Sequence, residues 1–422
     1  MKIKVLRLIL FLIILLLPFG FLISTVAPDL RASAVDTFVP YESSSELTLD
    51  GVADEAAWAA ATTLIVTTIG GDLSLTQITL KAVYTDTNIY IFASWADSTF
   101  SITRGRYNVS GYVYDEHLVK GGSEDRIVFM WEIGTVAGFN GSGCQVMCHS
   151  LDDHVELSAG ELADMWHIKV ARGVGLISAT DSEIIVDTGT YELTAGTVSL
   201  HGYADDNHVN DIGIQNDAGD GSYKNNEEDD HAMWIETDHT TWIDAMILTE
   251  AEITAGEVIN VTKGVAGGWT NCTFAANTYE ELNANVPRNI LRTPTLSQGD
   301  IEIALKWVDG VYTLETKRAL NTGNADDIAF DPTEDGTYLF SVALFDNQGQ
   351  GEEHGDDHND DDDDDHEENL LEHSIYTGPI ALTFGVRPVS PSILPNILIG
   401  AFTSVVVIAT VGTIVIRKRK TA

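Results

Sequence analysis

From Val35 to about Phe384 the chain repeats short runs rich in Val, Ile, Thr and Tyr, each bounded by Gly, Asn or Asp. That rhythm constrains the fold more than any other feature, because it matches short strands with turns between them. Leu80–Tyr84 and Asn88–Trp95 read as a hairpin closed by Thr85–Thr87. Arg126–Trp131, Ile301–Trp307, Val311–Thr316 and Tyr338–Phe345 carry the same signature, and Asp309-Gly310 is a strong tight-turn dipeptide between two of them. With little helical periodicity, the expectation is an all-β chain with few short helices, folded as a β-sandwich. Asp205-Asp206, Tyr223–Asn226 and Glu227–Asp230 read as loops at its edge.

The two ends follow a different logic. Lys2, Lys4 and Arg7 precede an apolar run from Leu8 to Val26, with Ala32-Ser33-Ala34 beyond it. Charge, apolar run and small-residue site in that order predict an export signal over 1–34. An uncleaved anchor is the competing reading. Residues 393–416 are almost continuously apolar, enough for one transmembrane helix. The basic cluster 417–420 follows at once, so residues 417–422 are expected in the cytoplasm and the body over 35–386 outside the cell membrane. A Pro-containing linker, 387–392, separates body and helix.

Net charge is −41, from 23 Lys and Arg against 64 Asp and Glu, which excludes nucleic acid as a partner. Thirteen of those acidic residues fall between Glu352 and Glu372, all but Glu372 within an acidic, histidine-rich insertion over 349–371 that contains His354, His358 and His366. Such a segment buries nothing and reads as a solvated loop, with loose Ca²⁺ or transition-metal binding as its functional alternative. Asn108, Asn140, Asn260 and Asn271 head glycosylation sequons, consistent with an exported glycoprotein. There is no internal repeat, glycine-rich phosphate loop, serine nucleophile elbow or His-Glu-x-x-His helix.

Chemistry concentrates between Gly141 and Ser150, where Cys144, Met147, Cys148 and His149 fall within six residues. Two thiols directly followed by a histidine is the arrangement that attaches a c-type haem, the adjacent imidazole becoming an axial ligand. The spacing here, three residues between the cysteines, exceeds the usual two. Covalent (c-type) and non-covalent (b-type) attachment therefore both stay open. So do a Cys144–Cys148 disulfide, a zinc or copper site, and a packed histidine without a ligand role. Cys272 has no evident partner in the sequence. Further on, Trp166 and His167 offer an aromatic wall and a hydrogen-bonding imidazole for the same pocket. The competing reading has Trp166 alternating with Ile168 on one strand face and His167 turned to solvent. Lys169 or Arg172 can neutralise a haem propionate.

Leu49-Asp-Gly-Val-Ala-Asp-Glu-Ala-Ala-Trp58 reads as a turn into one short helix, with Trp58 in the core. Similar openings occur in family 9 carbohydrate-binding modules. That resemblance implies an immunoglobulin- or module-like sandwich and, as a competing function, a cell-surface domain binding sugar through exposed aromatics. An ordered set of motifs carries a broader resemblance. It runs from Leu49-Asp-Gly with Glu55 and Trp58, through Glu124-Asp-Arg126 and Trp131, to Gly143-Cys144 and Cys148-His149. Asp164 with Trp166-His167, Asp300-Ile301 with Trp307, Arg318 with Thr322-Gly323, Phe345-Asp346 and His373-Ser374 complete it. In this order the chain resembles the haem-binding domain of the ethylbenzene dehydrogenase γ subunit and related cytochrome c-552-like proteins. The resemblance implies one haem at the edge of a β-sandwich, relaying electrons to a redox partner such as a molybdenum oxidoreductase. In those γ subunits the iron is held by a Met from the segment matching Cys144–His149 and a Lys near the last strands. This chain departs at both places, so His149 and His373 are the expected axial pair. Met147 is the alternative at the first position and His366 at the second.

Overall fold

A computed structural model describes residues 35–102, 106–110, 113–119, 124–148, 155–187, 190–228, 231–236, 242–260, 262–263, 269–270, 285–346 and 373–385. The leader, the acidic insertion, His149 and the C-terminal apolar segment fall outside these residues. Among the described residues no helix is long and apolar enough to cross a membrane.

The chain is mostly β, with a few short helices such as Ala56–Ala60 and Glu250–Ala255. Two large sheets dominate. The first, of eight strands, runs Asp36–Phe38, Ile380–Thr383, Thr337–Phe345, Arg126–Ile133, Leu162–Lys169, Asp205–Asn210 and Gly213–Asn216, with Ser374–Ile375 also paired to Thr337–Phe345. The second, of nine, is centred on Thr190–Tyr203, Glu302–Val308, Val311–Ala319, Asn88–Ala96 and Gln77–Tyr84. The expected hairpin pairs Tyr84 with Ile89, and the Asp309-Gly310 turn pairs Val308 with Val311. Both turn residues have positive φ, 44° and 89°, the conformation that lets a two-residue turn follow the twist of its strands.

One hydrophobic cluster draws residues from both sheets. Ile127, Phe129, Trp131, Trp166 and Phe340 come from the first, and Ile91, Leu305, Trp307, Tyr312 and Leu314 from the second. Trp131 anchors it, stacked on Phe340 at 4.4 Å and tilted against Trp166 at 5.2 Å. Trp58 is buried as expected, but on the far face of the second sheet, where it packs with Val83, Tyr90 and Phe92. Its indole N–H donates to Glu315 Oε1 at 2.8 Å. The other oxygen of that carboxylate accepts from the backbone N–H groups of Asp50 and Gly51, so the Leu49-Asp-Gly turn is tied to a central strand.

The edge-loop expectation is corrected at all three places. Tyr223–Asn225 is a short strand paired with Asn289–Leu291, and Glu227–Glu228 pairs with His231–Ala232. Asp205-Asp206 is not a loop but the start of a strand paired to Leu162–Lys169, with both aspartates buried. Acidic residues read as solvated because burial of a charge is costly. Here the strand places Asp205 against Lys169, with Asp206 on the opposite face.

Candidate functional site

The Arg126–Ile133 strand is apolar on both faces. Ile127, Phe129 and Trp131 enter the main core, while Val128 and Met130 point the opposite way. They join Ala163 and Met165 of the next strand in a second cluster, roofed by Val136, Phe139 and Cys144. The segment carrying the cysteines therefore lies across the first sheet, on the face turned from the main core.

Local chemistry fixes that segment. The N–H of Val136 donates to Glu132 Oε1 at 2.7 Å, turning the chain back over its own strand. Two single-turn helices follow, Phe139–Ser142 and Gln145–Cys148, with Gly143 between them at φ 58°. A Cβ at Gly143 would stand 2.1 Å from Ser341 Oγ, so only glycine permits this approach. The next N–H, of Cys144, donates to that same Ser341 Oγ at 2.9 Å. Cys144 is buried.

Strand register carries the site along the same face. Ser341 and Phe345 lie four residues apart on one strand, about 13 Å at the usual rise. Phe345 pairs with Arg126, and Val128 with His167. The ring of His373 stacks on Phe345 at 4.9 Å and 25°, and His167 is 6.4 Å from that ring. The Arg126 guanidinium lies over it at 5.0 Å. Cys144 at one end, with His167 and His373 around Phe345 at the other, thus share one apolar strip.

Trp166 does not share it. Its side chain enters the main core, 0 % exposed, between Trp131 and the Arg318 guanidinium. The aromatic wall of the strip is Phe345 instead, because Trp166 and His167 alternate across the sheet. His167 is half-buried on the strip and not turned to solvent. The side chains of Met147 and Cys148, and all of His149, lie outside the described residues. Lys169 is ion-paired to Asp205, and Arg172 to fully buried Glu124. Burial alone would raise the Glu124 pKa, but Arg172, Arg126 and Lys169 hold it below the ordinary value. Both cations expected to meet a propionate are therefore committed to internal carboxylates, and Arg126 is the cation that lies on the strip. Sequence reading missed Arg126 and Phe345 as site residues. The signal was the run Ile-Val-Phe-Met-Trp, apolar at every position, which calls for cover on both faces.

The groups on this strip are of the kinds that could hold a haem. The strip offers imidazoles, an apolar floor, one aromatic ring and one guanidinium. The family model described as ethylbenzene dehydrogenase matches residues 55–357, most of the β body. No curated protein matches the chain at a meaningful level of similarity.

Proposed function

The chain belongs to the ethylbenzene dehydrogenase family, and from that premise we propose that it is a membrane-anchored, extracytoplasmic haem-binding protein that transfers electrons. The observation that carries the proposal is the apolar strip on the first sheet, with Cys144 held over Ser341 at one end and His167 and His373 gathered around Phe345 at the other. The two large sheets act as layers of a β-sandwich, a reading supported by the single core cluster that takes residues from both. Bound haem supplies a one-electron Fe(III)/Fe(II) couple. His373 and His149 would be the residues that hold the iron, with Met147 the alternative on the cysteine segment. Phe345 holds the His373 ring in plane by stacking, Val128 and Met130 keep water from the floor, and Arg126 offsets a propionate charge. With two protein side chains on the iron no position would be left for substrate, which favours electron relay over substrate oxidation as the role of this chain. Its partner is another redox protein, in this family a molybdenum oxidoreductase.

A reduced-minus-oxidised spectrum of purified protein with the His373→Ala and His149→Ala variants tests this. Each substitution is expected to shift or abolish the Soret band, while His354→Ala in the acidic insertion leaves it in place. Spectra indifferent to both axial variants would overturn the ligand assignment. For the sugar-binding alternative, Trp58, Trp95, Trp131, Trp166 and Trp307 are buried, while Trp234 is half-buried and Tyr41 exposed.

A further inference from the structure

On the core-facing side of the first sheet, opposite the strip, three aspartates from three separate segments converge. Asp164 comes from the Leu162–Lys169 strand, Asp206 from the adjacent strand, and Asp327 from the loop after Val311–Ala319. One carboxylate oxygen of each lies within 4.8 Å of those of the other two. Asp164 and Asp206 are 0 % exposed and Asp327 is 5 % exposed. Arg318 is the cation among them, its Nη2 3.0 Å from Asp327 and 3.4 Å from Asp164. Three carboxylates against one guanidinium leave two negative charges uncompensated in a dry interior.

The partners of each acid differ. Asp164 accepts the backbone N–H of Ile328 at 2.9 Å, and Asp327 accepts from Thr322 and Asn324. The Asp206 carboxylate accepts nothing: both its oxygens are buried without a hydrogen-bond partner, as are one carboxylate oxygen of Asp164 and one of Asp327. Four orphaned oxygens thus lie in one sealed cluster, where each buried polar group ordinarily finds a partner. The buried donors beside them, Arg318 Nε and Nη2 and Trp166 Nε1, likewise lack a hydrogen bond of good geometry, although Arg318 and Trp166 both act to lower the pKa of Asp164.

We propose that Asp164, Asp206 and Asp327 bind one Ca²⁺ ion, which joins two strands of the first sheet to the 320–328 loop. The donors are all hard oxygens, the set that Ca²⁺ prefers over softer metals. Calcium–oxygen distances of about 2.3–2.6 Å let ligands on opposite sides stand nearly 5 Å apart, which suits this separation. Mg²⁺ demands a near-octahedral set at shorter distances and dehydrates reluctantly, whereas the flexible coordination of Ca²⁺ tolerates an irregular, mostly protein-built set. The divalent charge cancels the two left over beside Arg318. Burial, and then the neighbouring Asp164 charge, raise the pKa of Asp206 well above the ordinary range. Without a cation, protons would have to supply the missing charge. That is the alternative the experiment must separate.

The test uses the full chain, purified in detergent and passed through metal-free buffer, with elemental analysis and thermal melts in Ca²⁺ or in chelator. Expected are one retained calcium per chain and a melting temperature about 5 °C lower in chelator. Asp206→Asn should retain no tight calcium and respond to neither condition. Mg²⁺ at the same concentration should fail to restore the chelated wild type. No retained calcium, together with a melt unmoved by chelator, would overturn the proposal in favour of shared protons. A calcium effect equal in wild type and Asp206→Asn would place the ion elsewhere, for example on the acidic insertion, and overturn it too. If Asp206→Asn fails to fold, a chain lacking residues 349–371 decides: calcium and chelator response kept without the insertion support the triad, and their loss with it overturns the proposal.

Discussion

Arg318 shows how single residues set the energetics here. Its Nη1 donates to the Ile328 carbonyl at 2.9 Å, its Nη2 faces two aspartates, and its plane lies over Trp166 at 5.2 Å. Removing one member of a buried ionic group costs more than the group contributes, because the remaining charges are left in a low dielectric. Arg318→Met should therefore destabilise by about 3–5 kcal/mol, read from the denaturant midpoint at constant slope. A loss below ~1 kcal/mol would mean the aspartates are already neutral. Asp164 gives a second handle. Burial lifts its pKa to about 7, with Arg318 opposing and Asp327 adding to the rise. An acid whose folded pKa is raised stabilises fully below its unfolded value and loses that contribution as pH climbs to the folded one. In chelator, the wild type should lose stability between about pH 4 and pH 7, and Asp164→Asn should lose measurably less across the same window. Parallel melting curves for the two proteins would contradict this. Asp206, Asp327 and Arg318 all face Asp164, so the slope belongs to the group and not to one residue.

At the scale of elements, the cysteine segment depends on Gly143. Its φ of 58° and its approach to Ser341 leave no room for a Cβ. Gly143→Ala should undock the segment at a cost of about 1–3 kcal/mol while both sheets keep their pairing. The expected readout is a diminished or shifted haem band with an unchanged far-ultraviolet spectrum; an unaltered band would show that the docking is dispensable. Ser341→Ala tests the same contact more gently, at about 1 kcal/mol for the bond to the Cys144 N–H. Much of this element level is legible in sequence, since the Asp309-Gly310 turn, the Leu80–Trp95 hairpin and the strands flanking them follow from alternation and turn chemistry alone. The strand Asp205–Asn210 is not, because its acids are compensated by Lys169 on one face and lie beside Arg318 on the other, across 36 residues and more of chain. Trp166 and His167 are adjacent in sequence and on opposite sides of a sheet. A motif read as one pocket therefore splits in two.

At the scale of the whole molecule, one sheet presents two chemistries on its two faces. Toward the core, the Leu162–Lys169 strand shows Asp164 and Trp166; on the other face it shows Met165 and His167. The motifs that carry the family resemblance divide along that line: Asp164 and Arg318 fall in the buried acid group, Gly143, Cys144 and His373 on the strip. The chain carries a net charge of −41, which would favour the oxidised form of a metal bound to it. Such a centre should have a low potential, lower still with two imidazoles than with a thioether ligand. The most direct test of the central claim is the visible absorption of the full chain, purified from cells supplied with haem precursor. The account predicts a Soret band that moves on reduction, with a pyridine haemochrome reporting whether the vinyl groups are free or bonded to sulfur. A colourless protein that takes up no haem on titration would contradict it.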